Sequence, residues 1–198
     1  MSARATARLR ITNNTKKQPY ESRGIPLTID EVLAILEENP RQIAALTRDL
    51  PASRLNKTPI LGVWSINDVL AHVRSVSDAR GEFIRTMLAT PKPTLRAIDP
   101  RALQRRGDYG DEFAPSFRAF RTQRARLLRY LKALPRRSWS RTALITGGGL
   151  PRERTALFYA QWVAGHERAH VRQLTRALRV EAPGRGAPRA ATRQSSHN

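Results

Sequence analysis

Residues 162–174 decide the fold, and they read Trp-Val-Ala-Gly-His-Glu-Arg-Ala-His-Val-Arg-Gln-Leu. At about 100° per residue, a helix places His166 and His170 one turn apart on the same face. The residues sharing that face are Tyr159, Trp162, Val163, Leu174 and Ala177, and those opposite are Arg168, Arg172, Arg176 and Arg179. The pattern predicts an amphipathic helix over about residues 152–180, with both histidines pointing into the core.

Three further segments repeat apolar residues at steps of three and four, which predicts helices over about residues 28–50, 65–89 and 113–134. Pro40 interrupts the first of these, so that segment is either one kinked helix or two helices. No strand-like alternation of useful length is present, and Gly147–Gly149 indicate a mobile loop or a small hairpin. Four amphipathic helices predict an all-α protein, built as a four-helix bundle.

The starts of two helices carry capping signals. Thr28 is followed three residues later by Glu31, which is the spacing of a capping box. Ser65 is followed in the same way by Asp68.

The chain of 198 residues suits one domain with two tails. Residues 1–23 lack apolar periodicity and predict a flexible basic arm, and residues 181–198 are rich in small residues and predict a disordered basic tail. The bundle is expected over residues 24–180. No apolar run of 18 residues and no signal-peptide core are present, so we expect a cytoplasmic protein without membrane spans. The absence of cysteine excludes disulfides, thiolate metal sites and a cysteine nucleophile.

Charge is the strongest compositional feature. The formal net charge is +20, and the segment 24–180 alone holds 27 basic and 14 acidic residues, a net charge of +13. Such a surface suits nucleic acid or an anionic substrate. No groove-reading motif accompanies the charge, however, which favours solvated helix faces over a binding surface as its explanation. The arginine run 118, 121, 124, 126 and 129 wraps several faces of its helix, which favours solvation over one binding stripe.

The histidines carry the functional argument. His72 shares its helix face with apolar residues, so the three histidines outside the tail all face the core of one bundle. Neutral imidazoles at one level of a bundle are good ligands for a divalent transition metal, and the i, i+4 spacing of His166 and His170 allows both to bind one ion. Three protein ligands leave coordination positions open, as catalytic sites do.

Residues 166–170 also match the motif His-Glu-x-x-His of zinc peptidases, in which the glutamate is the general base. The longer form of that motif is absent, only Glu181 in the tail follows as a possible further carboxylate ligand, and no edge strand for a peptide is evident. A peptidase is therefore disfavoured. Glu167 is expected at the surface or in support of the histidines.

Two segments resemble one family. Residues 64–72 resemble the pattern W-S-x-x-[ED]-V-L-A-H, which opens the second helix of the DinB-like four-helix-bundle superfamily. Residues 166–174 are similar to the pattern H-[ED]-x-x-H-x-x-Q-[IL] of its last helix. The resemblance covers about residues 28–178.

The resemblance implies an up-down-down-up bundle with a three-histidine metal site, commonly nickel or zinc, and carries the ligand role to His72, His166 and His170. It also implies a homodimer. The superfamily includes transferases and isomerases that use low-molecular-weight thiols such as bacillithiol, mycothiol or glutathione-like molecules.

We therefore expect a metal-dependent enzyme, and specifically a thiol-dependent transferase acting on a small molecule. The alternatives are a basic protein that associates with nucleic acid and a metal-binding stress or sensor module without turnover. Arg74, Arg80 and Arg154 are candidates for holding an anionic cofactor or substrate. Tyr159 is expected in the core or lining the pocket, and Gln173 is expected to hydrogen-bond a ligand histidine or a loop carbonyl.

Overall fold

The computed structural model describes residues 26–56, 64–99, 102–103 and 112–180. The predicted arm, residues 1–23, and the predicted tail, residues 181–198, lie outside the described residues.

Four long helices and one short helix make up most of the described chain. The helices are α1 (Ile29–Thr47), α2 (Ala52–Leu55), α3 (Ile66–Ala89), α4 (Phe113–Lys132) and α5 (Ala156–Val180). The strands are β1 (Thr94–Arg96), β2 (Thr142–Thr146) and β3 (Arg152–Thr155), and Arg136–Ser140 form a 3-10 helix before β2. The predicted four-helix bundle is confirmed.

Both predicted capping boxes are present and fix where two long helices begin. The Thr28 hydroxyl accepts from the Glu31 backbone N–H, and the Glu31 carboxylate accepts from the Thr28 backbone N–H. Ser65 and Asp68 make the same reciprocal pair before α3. Pro40 lies inside a single helix, so α1 continues through it.

The core consists of two apolar clusters, one towards each end of the bundle. The first cluster contains Val32, Leu36, Ile84, Met87, Leu127, Leu131, Trp139, Ala143, Ala156, Tyr159, Ala160, Val163 and Ala164. The second cluster contains Ile43, Leu55, Ile66, Val69, Leu70, Val73, Phe120, Val171 and Leu174. From the first cluster to the second, residue numbers rise along α1 and α5 and fall along α3 and α4. Helices α1 and α5 therefore run in one direction, and α3 and α4 run in the opposite direction.

The structure contains a three-stranded sheet, of which the sequence predicted only a small hairpin, as one of two alternatives. Strand β1 pairs in parallel with β2, with Thr94 opposite Leu144, and β2 pairs antiparallel with β3. Gly147 and Gly149 have positive φ angles of 80° and 104° in the connection between β2 and β3, where glycine is favoured. Of the two alternatives for this region, a mobile loop or a small hairpin, the structure shows the hairpin. The last helix begins at Ala156 and not near 152, because residues 152–155 pair with β2.

Among the helices of the described residues, none has the length and apolar content that a bilayer crossing requires.

Candidate metal centre

The three predicted histidines come from two helices that run in opposite directions. His166 and His170 project from neighbouring turns of α5, and His72 faces them from α3. On α5 the pair lies between Ala164 of the first cluster and Val171 of the second. Packing on both sides of this level therefore fixes how α3 and α5 approach each other.

The three rings meet through the same ring atom. The Nε2 atom of His166 lies 3.1 Å from Nε2 of His72 and 3.3 Å from Nε2 of His170. One nitrogen from each ring can be chosen so that all three lie within 4.8 Å of one another. The structure thus brings together all three residues that the sequence singled out, two of them 94 residues apart in the chain.

Gln173 fixes the orientation of one ring. Its side-chain oxygen lies 2.8 Å from Nδ1 of His170, and an amide oxygen only accepts hydrogen bonds. Nδ1 of His170 therefore carries the proton and donates it, which leaves a lone pair on Nε2, directed at the other two rings. Of the two partners expected for Gln173, a histidine of the group or a loop carbonyl, the structure shows the histidine.

Burial keeps the histidines uncharged at neutral pH. Loss of hydration, with the neighbouring His170 as a second cause, lowers the pKa of His72 to about 4. Burial also lowers the pKa of His170, and it lowers that of His166 well below its ordinary value, with the adjacent histidines and Arg80 adding to the effect. Neutral imidazoles are the form that binds metal ions.

This donor set fits a metal ion. Three neutral imidazole nitrogens that face one point are ligands of the kind that zinc, nickel, copper and iron accept, and three ligands leave further coordination positions for other molecules. His72, His166 and His170 are therefore the residues that could hold such an ion. Among the described residues, this is the one group of His, Asp and Glu side chains with such spacing.

Two tryptophan side chains pack against the histidine rings. Trp162 stacks on His166 with ring centroids 4.7 Å apart and planes at 14°. Trp64, just before the cap of α3, lies 4.7 Å from the His72 ring and 6.3 Å from the His170 ring. Aromatic walls restrict water around the three rings and limit their rotation, so the ring atoms stay directed at one another.

Glu167 departs from its expected place. It is fully buried and forms an ion pair with Arg124, which is itself only 2% exposed. The Ser77 hydroxyl donates to Oε1 of Glu167 at 2.6 Å, and the Asn39 amide donates to Oε2 at 3.3 Å. The carboxylate therefore ties α5 to α1, α3 and α4. Both of its oxygens are engaged in this network, which is not the arrangement of a peptidase general base.

Arg124 corrects a second expectation. Its neighbours in the arginine run, such as Arg121 and Arg126, are exposed, but Arg124 lies inside the bundle. Its position, four residues after Phe120 and three before Leu127, is on the buried face of α4, so helical periodicity contained the signal. The usual preference of arginine for solvent predicts the opposite, an exposed side chain.

The arginines proposed as anion contacts separate into two places. Arg80 and Arg154 line a pocket of about 180 Å³ beside the histidines, together with Tyr159 and Trp162. Arg74 lies elsewhere and donates to the Ser116 hydroxyl at 3.1 Å. Tyr159 is both a member of the first cluster and part of the pocket lining, which combines the two alternatives considered for it.

Comparison with known proteins gives both a family match and similar folds. The sequence model of the DinB superfamily matches residues 35–174. The structure of YfiT from Bacillus subtilis, described as a probable metal-dependent hydrolase with an unusual four-helix bundle topology, is similar at 21% identity and a TM-score of 0.60. The similarity covers 81% of this chain and 92% of that one.

A second similar structure is the mycothiol-dependent maleylpyruvate isomerase, at 14% identity and a TM-score of 0.60, covering 75% of this chain and 61% of that one. At such identities the likeness shows a shared fold. No curated protein matches the chain in sequence.

Proposed function

The chain belongs to the DinB superfamily, and on that premise we propose that it is an enzyme that binds one divalent transition metal ion through His72, His166 and His170. We propose further that it promotes transfer or isomerisation reactions in which a small thiol takes part. Zinc and nickel are the metals we expect.

One observation carries the metal proposal. Three Nε2 atoms from two antiparallel helices meet at 3.1 and 3.3 Å, in a buried place where burial disfavours the protonated rings. A cluster of three neutral imidazoles contributes little to the stability of a folded core, because apolar side chains pack there without needing hydrogen bonds. Their convergence is well explained by a shared cation.

The thiol proposal is supported by chemistry and by likeness. A divalent metal bound by three histidines would supply open positions and lower the pKa of a thiol placed there. The chain has no cysteine, so the sulfur would come from a small molecule. One of the similar folds belongs to a mycothiol-dependent isomerase. The chain's own residues would act by orienting the histidines: Gln173 contacts the His170 ring, and Trp64 and Trp162 pack against the histidine rings.

Metal analysis of the full chain, produced without a histidine tag, tests the first part of the proposal. We expect about one zinc or nickel ion per chain, removed by a chelator and restored by titration. The second part is tested by following the loss of a small thiol, such as glutathione or mycothiol, in the presence of an electrophile. Acceleration that needs the bound metal supports a thiol-dependent enzyme. Metal binding without any acceleration contradicts that part and favours a sensor module.

Gln173 offers a test of how the histidines are supported. Gln173→Ala removes the acceptor for Nδ1 of His170, so the ring loses its fixed orientation, and we expect metal affinity to fall by about 10- to 100-fold. Competition with a metal-binding dye measures the affinity. Gln161→Ala is the matched control on α5, because that amide donates to the Leu27 carbonyl at 2.6 Å and touches no histidine. Equal affinities for both variants would contradict the supporting role.

The predicted homodimer, the cytoplasmic location and the contact with nucleic acid stay predictions. The small-molecule substrate also stays a prediction.

A further inference from the structure

A basic pocket adjoins the three histidines without including them. It has a volume of about 180 Å³ and lies between α3, α5 and the β2–β3 hairpin. Its lining residues are Arg80, Ala97, Ile145, Gly148, Leu150, Arg152, Arg154, Phe158, Tyr159 and Trp162. Three guanidinium groups therefore share a small space, and no carboxylate is found among these lining residues.

Aromatic rings position two of these guanidinium groups. The Arg80 guanidinium carbon lies 4.7 Å from the Trp162 ring centre and 5.2 Å from that of Tyr159. The Arg154 guanidinium carbon lies 4.6 Å from the Phe158 ring centre. Contact with a ring occupies the flat face of a guanidinium and leaves its N–H groups, which lie in the plane, available for a carboxylate.

Arg80 has a hydrogen-bond donor that a ligand could use. Its Nε is buried and has no hydrogen-bond acceptor within the described part of the chain. Burial lowers the pKa of Arg80, while interaction with the Tyr159 hydroxyl acts in the opposite direction. A buried cation of this kind is stabilised by an anion that brings acceptors to it.

The remaining lining is apolar. Ile145, Phe158 and Trp162 line the pocket, and Leu150, which is 83% exposed, lines it from the hairpin. Such a combination suits a molecule with one anionic end and an apolar body. It suits inorganic phosphate less well, because phosphate has no apolar part.

We propose that this pocket binds the carboxylate of a small organic acid, with Arg80 and Arg154 as its charged partners and the aromatic side chains against its apolar body. The Trp162 ring, which contacts Arg80, also stacks on His166, so a bound acid lies next to the histidine group. Binding of the acid does not depend on the proposed function. The statement that such an acid is the substrate of a metal-dependent reaction does rest on it.

Calorimetric titration of the full chain with sodium benzoate tests the proposal, with benzamide as a neutral probe of nearly the same shape. We expect benzoate to bind at least about tenfold more tightly than benzamide at constant ionic strength. Arg80→Gln and Arg154→Gln should each weaken benzoate binding by about 10- to 100-fold, because each removes a charge-assisted contact. Arg118→Gln, on the exposed surface of α4, is the matched control and should leave it unchanged.

Several outcomes would overturn the proposal. These are equal affinity for benzoate and benzamide, benzoate binding that both glutamine variants leave intact, no benzoate binding, or inorganic phosphate binding more tightly than benzoate. Circular dichroism melting shows whether each variant is folded, and Arg80→Lys, which keeps the charge, should retain more affinity than Arg80→Gln.

Running each titration on chelator-treated and on zinc-loaded protein separates the two proposals. Benzoate binding that depends on Arg80 in the metal-free protein supports the pocket even if no metal binds. Zinc binding without benzoate binding contradicts the proposal for the pocket and leaves the proposal for the metal site standing.

Discussion

Replacing His166 by alanine should abolish stoichiometric metal binding by the full chain. His166 is the central ring, since its Nε2 lies within 3.3 Å of the Nε2 atoms of both His72 and His170. Removing it leaves two ligands on different helices. We expect affinity to fall by well over about 100-fold, because losing only a residue that supports a ligand typically costs about 10- to 100-fold. Elemental analysis and competition with a metal-binding dye measure the change.

His72→Ala should have a comparable effect, since it removes the only ligand that α3 supplies. His197→Ala is the control, because that histidine belongs to the C-terminal tail, outside the described residues. Circular dichroism should show helical content close to that of the wild type in all three variants. If His166→Ala and His72→Ala retain full metal occupancy with unchanged affinity, the three-histidine site is wrong.

Glu167→Ala should destabilise the protein more than substitution of any exposed charge. The variant leaves the Arg124 guanidinium buried opposite an apolar methyl group, and breaking a buried ion pair in this way costs about 3–5 kcal/mol of unfolding free energy. Arg124→Ala should lower the unfolding free energy by a similar amount, since it leaves the Glu167 carboxylate buried without its cationic partner. In a domain of this size the loss corresponds to a fall in Tm of roughly 6–20 °C, measurable by calorimetry.

Lys132→Ala provides the matched control. Lys132 and Glu37 also join α4 to α1, at 2.7 Å, but both side chains are substantially exposed. Exposed pairs contribute about 0–1 kcal/mol, so this variant should unfold close to the wild type. The double variant Glu167→Met/Arg124→Leu should recover much of the lost stability, because it removes both buried charges. A loss below about 1 kcal/mol in Glu167→Ala would show that the buried pair does not hold the helices together.

The sequence predicted the bundle and the histidine group because both depend on local periodicity. Apolar spacing located four helices, and the capping boxes at Thr28 and Ser65 placed two starts within one residue. A helical projection placed His72 on the buried face of one helix and His166 and His170 on the buried face of another. Predicting the histidine group then required only that these two faces pack together. Each of these signals lies within a few turns of one segment, which is why sequence alone reveals them.

The features that were missed depend on contacts between distant segments. β1 has three residues, too few for an alternating pattern, and it forms by pairing with β2 about 50 residues later. Arg124 lies on a buried face, and its burial is made tolerable by partners from other helices, above all the carboxylate of Glu167, 43 residues away. The pocket requires Arg80 from α3 and Arg154 from β3, and no local motif links these two residues.

The two apolar clusters lie on either side of the histidine level, and the ion pair of Glu167 and Arg124 joins α5 to α4 beside it. None of these contacts involves a metal ion. If the proposed metal site is correct, the chain would fold before it binds the ion, unlike small zinc domains that stay unfolded until the metal binds. The metal that such a preformed site would bind then depends on which metals are available as much as on the intrinsic preference of three imidazoles.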